Sequence, residues 1–191
     1  MTMAYLAASR SQDASTHAGA VIVRADNTVV STGYNNPIRG MDISLVPTTR
    51  PEKYFYMEHA ERNAIYAAAK NEGGLDGCKL YVNFLPCADC ARAMVQAGIV
   101  EVIVHSEGQA AFNEANGITG GEWTASYAAT QKLFVTPLAM WKDQYGSRFV
   151  PKHLVDKWSD EHGKARTTII TWWSGALWEP AGFFRGKEYK L

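Results

Sequence analysis

The chain has too little cysteine for a disulfide framework. Its 191 residues include three cysteines, Cys78, Cys87 and Cys90, and a close pair such as Cys87 and Cys90 in a cytosolic chain points to a metal or a redox site instead. It also lacks a long apolar run. The opening MTMAYLAASR is short and has no basic flank, so it predicts a first helix rather than an export signal or a membrane span, and the expected location is cytoplasmic. Charge of one sign is missing as well: Lys+Arg and Asp+Glu are both 19, which argues against a general nucleic-acid binder with its basic surface. Residues 140–191 are slightly basic, 9 against 6, but no run there is dense enough for a polyanion patch. No internal repeat or low-complexity segment is present.

What is there is globular: 47% hydrophobic and 20% charged residues, on a length that suits one domain with a sizeable core. After a helix over 1–10, two apolar runs, Gly19–Arg24 and Thr28–Tyr34, flank Asp26-Asn27 and predict a hairpin. A proline-punctuated loop follows to Tyr54. Helical composition over 58–70 ends at Asn71-Glu72-Gly73-Gly74, CKLYVNF reads as a buried strand, 87–97 as a helix stopped by Gly98, and IVEVIVH as another strand. A helix near 122–132 and a short strand KLFVTP complete the order α-β-β-α-β-α-β-α-β. That order predicts an α/β fold: a three-layer α-β-α sandwich in which a mixed five-stranded sheet carries helices on both faces. Residues 1–137 form this domain. Residues 138–191 form an extension with five of the six tryptophans (Trp141, Trp158, Trp172, Trp173, Trp178), in which TTIITWW offers an added strand. The extension packs on its own domain or on a neighbouring subunit.

The chemistry gathers in two short stretches, MEHAERNAI (57–65) and PCADC (86–90). Cys87 and Cys90 are three apart at a helix start, where both sulfurs face one point and the helix N-terminus favours thiolates. His59 holds the matching position on the other helix. A metal beyond both N-termini is then within reach of His59, Cys87 and Cys90. Three N and S ligands with an open fourth place are the pattern of catalytic zinc, one ion per subunit. Glu61, in the first turn, reaches a water at the open place without binding the metal, and handles its proton. Three plainer alternatives stand beside this reading. The C-x-x-C pair can be a thioredoxin-like redox site. The zinc can be structural, closed by Cys78, His105 or His17. His59 and Glu61 can be an ordinary exposed helix pair. Cys78 reads most simply as a core thiol.

H-A-E (59–61) with P-C-A-D-C (86–90) is the signature of the zinc-dependent cytidine deaminase superfamily, and the chain resembles its deoxycytidylate (dCMP) deaminase branch over roughly residues 3–136. SRSQDASTHAGAVIV resembles that branch's start, STGYNNPIRGMD its G-Y-N loop, and QAGIVEVIV its stretch after the cysteines. The resemblance implies zinc on His59, Cys87 and Cys90, and Glu61 as proton shuttle. It implies Asn35 on the sugar or phosphate, a base pocket shaped by the backbone at Ala60, Leu85 and Pro86, and a lining from Thr16 and His17. For Asn35 a turn residue in the left-handed region is the alternative. Arg39, Arg50 and Lys53 are candidates for a phosphate, since charge-assisted bonds suit it; a solvated surface cation is the alternative for each.

Three features depart from the branch. Where it has Asp-Lys-Tyr, with the tyrosine near the base, this chain reads HSEGQAAF, and Phe112, Trp123 or Tyr127 is left to replace that ring. Asn36 stands where glycine is common, which bears on control by dCTP and dTTP effectors at that loop. The tryptophan-rich tail has no counterpart. The implied reaction is hydrolysis of dCMP to dUMP and ammonia, by a homo-oligomer, dimer or hexamer. The same chemistry on a 5-substituted dCMP, dCTP, a nucleoside or a nucleic-acid base, and a non-catalytic zinc-stabilised binding module, are the alternatives.

Overall fold

A computed structural model of the chain describes residues 1–47, 49–71, 73–116, 122–134 and 169–174. Helix α1 (Thr2–Ala8) precedes the hairpin of β1 (Gly19–Val23) and β2 (Val29–Tyr34). The hairpin turns at Asn27, which takes the left-handed region with φ 67°, a conformation asparagine tolerates. The proline-rich loop holds two short 3-10 turns and a two-stranded ladder, β3 (Asn36–Pro37) with β4 (Met57–Glu58). Then come α2 (Ala60–Lys70), β5 (Lys79–Val82), α3 (Ala88–Gln96), β6 (Glu101–His105), α4 (Ser106–Asn116), α5 (Glu122–Leu133) and β7 (Ile169–Trp173).

The sheet runs β2-β1-β5-β6-β7. β1 is antiparallel to β2 and β5, while β5–β6 and β6–β7 are parallel, so the sheet is mixed and five-stranded as expected. Strand alternation sorts the core into two layers. Ala20 and Ile22 of β1, Leu80 and Val82 of β5, and Val102 and Val104 of β6 pack with Ala60, Ala64 and Ala68 of α2 and with Cys90 and Met94 of α3. Val21 and Val23 face the other way, onto Ala4 of α1.

The fifth strand is a correction. KLFVTP does not supply it: Lys132 and Leu133 continue α5, and Phe134 turns into the core with its N–H on the Thr130 carbonyl. Residues 135–137 lie outside the described residues. The strand comes from the added-strand candidate in the tail, IITWW, and its Trp173 ring packs 5.3 Å from that of His105. Of the extension's other tryptophans, Trp141, Trp158 and Trp178 lie outside the described residues. Helix α4 was not expected. Among the described residues no helix is long and apolar enough to cross a membrane.

The alanine-rich run of α2 has a packing reason. A Cβ on Gly33 would collide with the backbone of Ala60 and Ala64, so α2 lies directly on β2. There Ser31 Oγ donates to the Ala64 carbonyl (2.8 Å) and Asn63 Nδ2 to the Tyr34 carbonyl (2.9 Å). Gly33→Ala should therefore lower the unfolding free energy by about 3 kcal/mol, the upper part of the overpacking range, as read from urea denaturation. An unchanged midpoint would show that α2 can lift from the sheet at little cost.

Candidate active site

Strand β4 of the two-stranded ladder runs into α2 and β5 of the main sheet into α3, and the two helix N-termini meet at one place. His59 is the N-cap of α2 and Cys87 the N-cap of α3, and neither side chain caps its own helix. Both are free to turn toward each other. His59 Nδ1 lies 3.5 Å from Cys87 Sγ and 3.5 Å from Cys90 Sγ, and the three donor atoms all fall within 4.8 Å of one another.

A tetrahedral zinc, with Zn–S of about 2.3 Å and Zn–N of about 2.05 Å, sets its N and S donors about 3.6 Å apart. The observed spacing and donor chemistry fit that ion. Among the described residues no fourth protein ligand joins the group. Cys78 is a buried core thiol, His17 directs Nε2 to the Asp13 carbonyl (3.0 Å), and His105 bridges Tyr5 and Glu107.

The electrostatics are those of groups sharing protons. A hydrogen bond with Cys90, then His59, lowers Cys87 to about 4 against the effect of burial. The Cys90 bond with Cys87, together with burial, pushes Cys90 well up. Burial pulls the His59 imidazole down, but Cys87 and Glu61 outweigh it and hold it above its ordinary range. Burial raises Glu61, with His59 opposing. A divalent cation at the centre would replace those protons and draw both sulfurs to thiolate.

Beside the three donors lies a small cleft that opens to solvent. Glu61, 5% exposed, lines it with His59 and Cys87. The lining also carries aromatic rings: Phe84, Phe112 (ring centroids 4.7 Å apart) and Tyr127. Phe112 and Tyr127 thus reach the cleft, whereas the side chain of Trp123 lies outside the described residues.

Thr16, Asn35, Leu85 and Lys53 also line the cleft. Asn35 is more occupied than expected: Oδ1 accepts from Ala18 N (2.7 Å) and Nδ2 donates to the Thr16 carbonyl (2.8 Å), leaving one N–H and one lone pair. The Lys53 ammonium has no donor left for a phosphate. It gives hydrogen bonds to Asp13 Oδ1 (3.1 Å), Asp13 Oδ2 (2.9 Å) and Ser15 Oγ (2.5 Å), and with Ser15 it holds the Asp13 carboxyl at about 2 despite burial.

Arg39 lines a separate depression with Ile38, Glu58, Asn63, Tyr66 and Lys70. His17, Ala60 and Pro86 are not on the wall. Ala60 is buried under Gly33, and the Pro86 carbonyl accepts from Thr130. Sequence reasoning missed Asp13, Tyr54, Met57 and Phe84, which line the cleft, and Asn83. Asn83 is fully buried, accepts from Gly19 N and donates to the His17 carbonyl, both at 3.0 Å. Its place just before the L-P-C stretch was the available signal.

Residues 1–106 match the family described as the cytidine and deoxycytidylate deaminase zinc-binding region. The chain belongs to this deaminase family. The deoxycytidylate deaminases of Mus musculus and Homo sapiens are 42% and 41% identical to it over 113 residues, 56% of this chain. The chain spans 62% of the length of each of these relatives. Among solved structures, the apo dCMP deaminase of the cyanophage S-TIM5 is 25% identical, covers 59% of this chain and 85% of its own, and superposes with a TM-score of 0.46. The deaminase family's zinc-binding region holds His59 and ends just after β6, so Phe112 and Tyr127 lie beyond it.

Proposed function

We propose that this chain catalyses hydrolytic deamination of a free pyrimidine deoxynucleotide, dCMP plus water giving dUMP plus ammonia. The observation that carries the reading is the buried Glu61 carboxyl, set in the same cleft as the converging His59, Cys87 and Cys90 donors. A structural zinc site has no use for that acid. The identity to deoxycytidylate deaminases supports the base and sugar.

His59, Cys87 and Cys90 would hold the zinc, which acts when bound as a Lewis acid and lowers the pKa of water toward ~7. Glu61 takes the proton of the attacking water and delivers it to ring N3. It then passes the second proton to the amine leaving C4, so ammonia departs neutral. Phe84, Phe112 and Tyr127 form an apolar face for the ring. A nucleotide substrate and thiolate ligands fit a cytosolic setting. Exposed Ile38, Ile43, Leu45 and Phe55, all within one loop segment, support a homo-oligomer.

With Lys53 paired to Asp13, the phosphate falls to Arg50, exposed at the cleft with its guanidinium 5.9 Å from the Tyr54 ring centre. The test is ammonia release from dCMP, its 5-substituted forms, dCTP, CMP and deoxycytidine. dCMP should be preferred. Arg50→Ala should raise KM for dCMP about ten-fold, the low end for an exposed charge-assisted bond, and leave deoxycytidine unaffected. Equal loss on both substrates would remove Arg50 from the phosphate. No ammonia from any member of the panel would favour a non-catalytic zinc module.

A further inference from the structure

Three side chains from outside the zinc-binding helices grip the backbone that carries the cysteines. Leu85 N–H donates to Gln109 Oε1 at 2.5 Å. The Pro86 carbonyl accepts from Thr130 Oγ1 at 2.9 Å. Ala88 N–H donates to Ser126 Oγ at 2.9 Å. Gln109 stands on α4, and Ser126 and Thr130 stand four apart on one face of α5. Gln109 is nearly buried and Thr130 fully so.

Each bond satisfies a group that the strand-to-helix junction leaves open. The first N–H groups of α3 call for a cap. Cys87 occupies the N-cap position and is turned to His59, and Ser126 supplies an oxygen to the first of those N–H groups, that of Ala88. Cys90 follows Cys87 by three residues, so a shift of the 85–88 backbone moves both sulfurs against His59, which rides on a different helix.

We propose that Gln109, Ser126 and Thr130 are positioning residues that clamp the Leu85–Ala88 backbone and set both sulfurs for the metal. The proposal rests on the zinc reading of the site. Gln109 also donates Nε2 to Asn113 Oδ1 (2.7 Å), one turn on along α4.

The test uses the full chain loaded with zinc and follows metal release to an excess of chromogenic chelator. Thr130→Val keeps the shape and removes the hydroxyl, and Ser126→Ala removes the cap. Each should speed release about ten-fold, and the double variant about a hundred-fold, the range typical of groups that orient ligands. The visible spectrum of the cobalt-loaded variants should shift, and Thr130→Ser, which keeps the hydroxyl, should restore both readouts. Should Thr130→Val fail to fold, Ser126→Ala at its partly exposed site carries the same expectation. A lowered thermal midpoint with unchanged release and spectrum would reduce the three residues to packing and overturn the clamp. A wild-type chain that takes up no zinc would remove the centre itself, and the clamp with it.

Discussion

Glu61→Gln should keep its zinc and lose turnover by about ten-thousand-fold, the upper end of what a positioned general acid–base contributes. Zinc should stay because the carboxylate is not one of the three converging donors, and glutamine has nearly the same shape in the same buried place. Turnover should collapse because an amide neither accepts the water's proton nor returns it to N3 and the amine. In the zinc-free chain the variant should also be no less stable. Burial holds the Glu61 carboxyl above its ordinary range, so its ionised form weakens folding at neutral pH, and the neutral amide relieves that. The sign is definite: a carboxyl raised by the fold contributes least above its folded pKa, so the gain from glutamine should grow as pH rises and vanish in acid. Metal analysis, ammonia release and thermal melting check the three statements separately. Normal ammonia release would sink the mechanism, and loss of zinc would make Glu61 a ligand.

The parts of the molecule dictated by local chemistry were legible in the sequence. The hairpin around Asp26-Asn27, the two helix starts at His59 and Cys87, and the buried strands Lys79–Val82 and Glu101–His105 follow from turn residues, caps and apolar runs. The elements decided by packing were not. KLFVTP has the look of a strand, but Phe134 fills the core as the exit of a helix, and the edge of β6 is covered by IITWW, more than sixty residues later. Helix α4, low in apolar periodicity, forms where the chain leaves β6. The site divides in the same way. The local spacings, Cys87 to Cys90 and His59 to Glu61, lie within one turn and can be read. Whether Lys53 is free for a phosphate depends on Asp13, forty residues away, and whether Asn35 is free depends on the backbone of 16–18. The clamp on the cysteine loop comes from α4 and α5, beyond the stretch that matches the family.

Cys87→Ser should lose zinc and activity together. Serine keeps the backbone and the shape of the side chain but replaces a soft thiolate with a hydroxyl that stays protonated at neutral pH, and a neutral hydroxyl is a poor donor for zinc. The thiol it replaces is already poised to ionise, held at about 4 by Cys90 and His59. Only His59 and Cys90 would remain, with no other His, Cys, Asp or Glu near enough among the described residues to complete a third place. The purified variant should carry less than about a tenth of an ion per chain, release no measurable ammonia, and melt at the temperature of wild-type protein stripped by chelator. That last equality separates loss of the ion from damage to the fold, because zinc stabilises the wild type only by binding the folded form. Zinc retention by the wild type should weaken as pH falls, since protons compete for the same sulfurs and imidazole. Full occupancy in Cys87→Ser would refute the ligand assignment. An empty variant that still turned over dCMP would leave the ligands in place and move the chemistry elsewhere in the cleft.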